Sequence, residues 1–354
     1  MTPIRVQPQF AKLGRRVPAW AVFVVGTVIA VALPWSMNQG DRSTYITIGL
    51  AVMVTVGLTM MVGFAGQISL GQGAFYLVGA YTAGLLVIHG VPTVLALVLA
   101  PVATALVAAI VGVPLLRLQG NYLAFATLAL HLMALSVVVA QSGLTGGEIG
   151  LQVPEQLNIG ISVDGAMLAA LVWILAMCSL FLTRNLITSR VGRGLQAIAS
   201  GETGAALAGV SVGSYKLRVF MIAAGWAGLA GGLYTFQTQY LSSDSFPILL
   251  SVEFLVMAAV GGLGSVSGAL VGAVAIVLLQ QNVSDLGTNS SLPTTAPQII
   301  SLGVYGIILV LVMLYLPRGL LPTAVSVGRR VLGRQPRRGR RISGRGAEVA
   351  SEGG

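Results

Sequence analysis

The sequence predicts an all-α polytopic membrane protein of about ten transmembrane segments, some of them broken or re-entrant. Hydrophobic residues make up 55% of the 354 and charged residues only 8%, against roughly a quarter charged in soluble domains. Mean hydropathy is +0.89, and several apolar runs reach the ~20 residues that a bilayer-spanning helix needs. A third observation refines the class. From Val62 to Gly84 the chain reads VGFAGQISLGQGAFYLVGAYTAG, dense in glycine and amides. Non-helical backbone survives at membrane depth only where protein or a water-filled cavity surrounds it. The stretch therefore points to a translocation pathway.

Residues 1–17 form a basic arm, and 18–36 the first apolar run. That run reads as a retained span, being long and lacking a small-x-small cleavage site. Further apolar runs fall near 44–63, 74–90, 92–116, 120–140, 166–183, 216–240, 248–261, 265–283 and 298–316. The transmembrane domain is thus expected over 18–321, followed by a basic, disordered cytoplasmic tail over 322–354. Eight arginines between Arg329 and Arg345 suit that tail to anionic lipid on the cytoplasmic side.

With the amino-terminal arm inside, nineteen of the twenty Lys and Arg residues fall on the cytoplasmic side, and only Arg42 lies outside. Asp41, Glu148, Glu155, Asp164, Asp244 and Asp285 fall outside. This sorting predicts both termini in the cytoplasm. It also predicts a turn or re-entrant break at Gly261-Gly262-Leu263-Gly264 near the cytoplasmic face, because one crossing over 248–283 would put the arginine tail outside. Val62-Gly63-x-x-Gly66-x-Ile68-Ser69 is echoed by Val260-Gly261-x-x-Gly264-x-Val266-Ser267. Internal repeats flanking a central site are a transporter habit, although chance similarity in a glycine-rich chain is an equal explanation.

Two loops stand out. Residues 141–165 form an acidic external loop with turn residues throughout, either a partner contact or a passive connector. Residues 184–215 form the longest internal loop, in which Arg190 to Gly209 can make a short helix with a small-residue face. That helix is either a surface-lying connector or a docking element for a cytoplasmic partner.

The rest of the chemistry is sparse. Cys178 is the only cysteine, which excludes intramolecular disulfides and cysteine metal sites, and its apolar run suggests a small buried hydrophobe. His89 and His131 lack metal-ligand spacing. His131 lies within a span, as a packing histidine or a functional one. Glu253, near an outer helix end, suits snorkelling or a structural hydrogen bond better than a proton relay. Neither Lys12 nor Lys216 follows a GxxxxG loop, so no P-loop exists. Catalytic residues, metal and bound cofactor are all unexpected, and any ATP must be bound by another chain.

At these residues the chain resembles the permease subunit of branched-chain amino acid ABC importers, the LivM type, over most of Thr44 to Leu321. The most specific element is GFAGQISLGQGAFYLVGAYTA from Gly63 to Ala83. Further similarity lies in Arg117-Leu-Gln-Gly-Asn-Tyr-Leu-Ala-Phe-Ala-Thr-Leu, Leu144-Thr-Gly-Gly-Glu-Ile-Gly-Leu and Gly192-Arg-Gly-Leu-Gln-Ala-Ile. Gly209-Val, Tyr215-Lys216-Leu, Val260-Gly-Gly-Leu-Gly-Ser and Pro317-Arg318-Gly319-Leu320 complete the set. The chain departs from the family at Gln72, commonly His, and at Ala199-Ser200, commonly Arg-Glu, with only Glu202 keeping an acid.

The resemblance implies a bacterial inner-membrane permease that imports a small polar solute, a branched-chain amino acid above all. A second homologous permease, two ATPase subunits and an external solute-binding protein are the implied partners, with ATP on the ATPases. Gly66, Gln67, Ser69, Gln72, Gly261, Gly264 and Ser267 would border the pathway. Gln67, Ser69 and Gln72 would either bond passing solute or satisfy broken-helix backbone. Gly192, Arg193, Gly194, Leu195, Ala197, Ile198 and Glu202 would meet the ATPase. Urea or short amides, carried by relatives of this family, are an alternative cargo. A lone ion-coupled transporter is the rival mechanism, and a membrane scaffold or sensor the rival class of function.

Overall fold

The computed structural model describes residues 19–118, 120–153, 157, 163–288, 306, 310 and 320. Helices dominate it: α1 (Ala19–Ala32), α2 (Gln39–Thr59), α3 (Gln72–Ile88), α4 (Thr93–Leu115), α5 (Asn121–Ala140) and a one-turn α6 (Ser142–Thr145) come first. After them lie α7 (Gly165–Thr188), α8 (Arg190–Ser200), α9 (Glu202–Leu207), α10 (Val212–Thr238), α11 (Ile248–Gly261) and α12 (Val266–Thr288). Two two-residue strands, β1 (Leu151–Gln152) and β2 (Tyr240–Leu241), pair antiparallel.

Among the described residues, seven helices are long and apolar enough to cross a membrane, and two more apolar helices are shorter. The tenth expected run, 298–316, lies outside the described residues apart from Gly306 and Val310, as do the basic arm 1–17 and the tail 322–354. Expected and observed boundaries agree to within a few residues, with one systematic difference. α7 runs on to Thr188 and α10 begins at Val212, so the internal connection is shorter than 184–215.

Helix direction sorts the charges. Arg117, Arg184, Arg190, Arg193, Lys216 and Arg218 gather at one end of the bundle. Asp41, Glu148, Asp164 and Asp244 lie at the other, with Arg42.

α2 and α10 form the centre: 83% of the most apolar window of α2 is buried and 72% of that of α10, against 28% for α4 and for α5. Between membrane helices there is little hydrophobic drive, so close approach of small residues carries the packing. Hence α3 crosses α10 backbone to backbone. A methyl on Gly79 would overlap the Gly228 carbonyl, and one on Gly231 the Tyr76 carbonyl. Aromatic contacts fix the periphery. Tyr45 stacks on Trp173 at 4.7 Å, Trp173 donates to the Tyr45 carbonyl at 3.1 Å, and the Tyr45 hydroxyl donates to the Ala30 carbonyl at 3.0 Å. These bonds tie α1, α2 and α7 together.

Candidate functional site: two glycine breaks and the helix pair beneath them

The first break begins as a distortion of α2. Its last turn, Met60–Phe64, is π-helical, a form found mostly as single turns at functional sites. Gly66 then takes a left-handed conformation (φ +67°), which costs an L-residue roughly 1–2 kcal/mol. The chain then has no regular secondary structure until α3 starts at Gln72. Its freed backbone groups are satisfied from four directions: the Gln67 N–H donates to the Met61 carbonyl (3.0 Å) and the Leu70 N–H to Thr127 Oγ1 (2.9 Å). The Gly71 N–H donates to Ser69 Oγ (3.3 Å) and the Gly73 N–H to Ser251 Oγ (2.9 Å). Because Ser251 accepts from Gly73, its own hydrogen is available to His131 Nδ1, 2.9 Å away. His131, fully buried, therefore acts through Ser251 on the start of α3. One ring nitrogen thus has a defined partner within the chain, while Nε2 is buried with none among the described residues.

The second break lies between α11 and α12, where Gly262 is left-handed (φ +108°) and Ser265 accepts from the Gly268 N–H at 3.2 Å. The expected turn at Gly261–Gly264 is present, at the basic end. The two breaks touch: a methyl on Gly63 would overlap the Leu263 carbonyl. The segments that echo each other in sequence are thus packed against each other in space.

The expected pathway residues divide by exposure. Gly66, Gly264 and Ser267 are exposed, together with Ile68. Gln67, Ser69 and Gln72 face the interior of the chain, at 2%, 0% and 0% exposure. Ser69 satisfies broken backbone. The two amides do not: Gln72 Nε2 lies 3.3 Å from Met61 Sδ, while Gln72 Oε1 and both polar atoms of Gln67 have no partner among the described residues. Gly261 is buried where α11 and α12 cross, flush against the Gly268 backbone.

Below the first break lies the helix pair α8–α9. Ser189 caps α8 by accepting from the Val191 N–H at 3.1 Å. Gly192, Leu195 and Ile198, spaced by three, make its buried face. Gly192 sits flush on the Ile187 carbonyl, and a methyl on Gly194 would come 2.8 Å from the Tyr215 ring. The expected ATPase-facing set therefore splits. Gly192, Leu195 and Ile198 hold α8 onto the bundle, Gly194 and Ala197 are half-buried, and only Arg193 is exposed. Glu202 is engaged within the chain, accepting from Lys216 Nζ at 2.5 Å. Leu207, at 87% exposure, is a bare apolar side chain that no sequence motif marks. Above, Ala199 Cα lies 3.7 Å from where a Gly66 methyl would sit, so α8 abuts the first break directly.

Several neighbours of the first break were invisible in sequence. Ser251 and Thr127 lie in ordinary apolar helices and Met61 in the π-turn, and nothing in spacing ties them to residues 67–73. Cys178 departs from expectation: it is exposed on α7, because its helical position points away from the buried Ala176–Ser179–Leu180 face. His89 terminates α3, its Nδ1 2.7 Å from the Leu85 carbonyl. Among the described residues no group of three or more His, Cys, Asp or Glu could hold a metal ion.

Apolar helices of spanning length, two broken at adjoining glycine turns, define a multi-pass helical membrane protein with an irregular core at one end. Comparison with known sequences names its family. The chain belongs to the branched-chain amino acid transport system / permease component family, whose model matches residues 43–313. It is 29% identical over 321 residues to the high-affinity branched-chain amino acid transport system permease protein LivM of Salmonella typhimurium, covering 83% of this chain and 73% of the relative. The LivM protein of Escherichia coli K12 is 28% identical over the same shares. A probable LivH permease of Methanocaldococcus jannaschii is 28% identical over 235 residues, covering 63% of this chain and 73% of that relative. No solved structure matches the chain.

Proposed function

We propose that this chain is one permease subunit of an ATP-driven ABC importer for branched-chain amino acids in a bacterial cytoplasmic membrane. The observation that carries the reading is the extent of the family match: residues 43–313 take in both breaks and the whole of α8–α9. The LivM and LivH names of its relatives describe permeases of branched-chain amino acid transport systems. Their similarity supports a partnership with a second, homologous permease, with ATPases beneath and a solute-binding protein outside.

The charge distribution supports the orientation. Taking the basic end as cytoplasmic, the α8–α9 pair faces the compartment that holds ATP, and the acidic end faces out. ATPase closure would then act on Arg193, Leu207 and the other exposed positions of α8–α9. Movement reaches the first break through the Ala199–Gly66 contact and the second through Gly63–Leu263. Gly66, Ile68, Gly264 and Ser267 border the route. Gln67 and Gln72, buried with open hydrogen-bonding capacity, become available when the break shifts. Urea and short amides are the cargo alternative.

Reconstitution tests this. Proteoliposomes holding this chain with its partner permease and ATPases, supplied with the solute-binding protein, are expected to accumulate radiolabelled leucine only with ATP. Leucine uptake driven by a proton or sodium gradient, by this chain alone, would overturn the importer reading.

A further inference from the structure

The acidic end carries an ordered platform that a passive connector does not need. Thr145, which closes α6, donates from Oγ1 to the Val138 carbonyl at 2.5 Å, and the Gly147 N–H donates to Thr145 Oγ1 at 3.3 Å. Gly146, Gly147 and Gly150 all take left-handed conformations. β1 pairs with β2, the Val153 N–H donates to the Gln239 carbonyl at 2.9 Å, and the Tyr240 hydroxyl donates to the Ile149 carbonyl at 2.5 Å. This bracing presents apolar side chains to the surroundings: Ile149 is 87% exposed, Leu144 54% and Tyr240 47%. Holding an isoleucine out on a pinned turn gains nothing for the fold. Tyr240 and Ile149 are joined by that hydrogen bond, and exposed apolar side chains held together inside a polar border mark an interaction surface.

Charge selects the occupant. Glu148 is adjacent to Ile149, and Asp41, Asp164 and Asp244 are exposed at the same end. Arg42 is the one basic residue there among the described residues, and it is turned inward to the Met37 carbonyl at 3.2 Å. A bilayer surface of anionic lipid would repel such a border. A protein with basic side chains around an apolar contact would be steered onto it.

We infer that Leu144, Ile149 and Tyr240, bordered by Glu148 and Asp244, are the docking surface for an extracytoplasmic protein with a basic rim around an apolar contact. Under the importer reading, on which this rests, that partner is the solute-binding protein.

The test uses the reconstituted transporter in lipid nanodiscs, titrated with the binding protein that drives its uptake. Ile149→Asp is expected to raise the half-saturating concentration of binding protein about tenfold and to leave the uptake rate at saturation unchanged. Glu148→Lys with Asp244→Lys is expected to weaken binding and flatten its salt dependence. Unchanged half-saturation in both variants, with uptake still dependent on the binding protein, overturns the surface and leaves the importer reading standing. Quenching of an Ile149→Trp variant by brominated phospholipid would put the patch in the bilayer and overturn it too. Uptake that needs no binding protein overturns the importer reading, and this surface with it.

Discussion

Gly63 of the first break lies flush against the Leu263 carbonyl of the second, with no room between them for a methyl group. The two interruptions are therefore one structural unit, and their packing depends on a missing side chain. Gly63→Ala is expected to lower stability by about 1–3 kcal/mol, the usual cost of overpacking. Gly264→Ala, which meets open space, should change it by less than about 0.5 kcal/mol. Thermal unfolding of the two purified variants checks the contrast. Equal melting temperatures would show that the breaks do not bear on each other.

Ser251 holds the start of α3 by accepting from the Gly73 N–H and facing His131 Nδ1. Ser251→Ala leaves both groups buried without this partner, at about 1–3 kcal/mol for each one stranded. His131→Leu spares the Gly73 bond and should cost less. Because the three groups form one chain, the double variant is expected to be less destabilised than the sum of the singles. Additive unfolding free energies would break the chain into independent contacts.

Composition, span order and the two breaks were legible from sequence because each is a local property. Long apolar runs, glycine density at Gly63–Gly73 and Gly261–Gly264, and the one-sided placement of arginine need no tertiary information. Side-chain direction is another matter. Whether Gln67 faces solute or the interior depends on how the chain leaves the π-turn at Met60–Phe64, which no periodicity encodes. Leu195 and Ile198 looked like contacts for a partner because an amphipathic helix has two usable faces. Only the packing against Ile187 and Tyr215 decides which face is spent at home. Cys178 departs from its expected burial for the same reason: an all-apolar membrane helix carries no pattern that separates its lipid side from its protein side.

That division of α8 can be tested by charge. Leu195 is fully buried and Arg193 exposed. Leu195→Asp puts an unpaired carboxylate into the seam beneath the break, and the chain should be lost from the membrane fraction. Arg193→Glu should leave chain level and melting temperature unchanged while ATP-dependent uptake falls severalfold. Gly194→Trp, colliding with Tyr215, is expected to insert normally and to abolish uptake. Normal uptake by both the Arg193 and Gly194 variants would move the ATPase contact away from α8.

Gln67 offers the sharpest separation of stability from transport. Its amide is buried, and neither polar atom has a partner among the described residues, so the fold carries its desolvation without a compensating bond there. Replacing an unsatisfied buried amide with an apolar group of similar size is neutral or stabilising. Gln67→Leu is thus expected to keep or raise the melting temperature. If the amide serves solute when the break opens, the same variant must slow leucine uptake by the complete transporter, with binding-protein affinity unchanged. Stability and transport then move in opposite directions, which a purely structural residue does not produce. Wild-type uptake by Gln67→Leu would remove Gln67 from the pathway and leave Gly66, Ile68, Gly264 and Ser267 as its border.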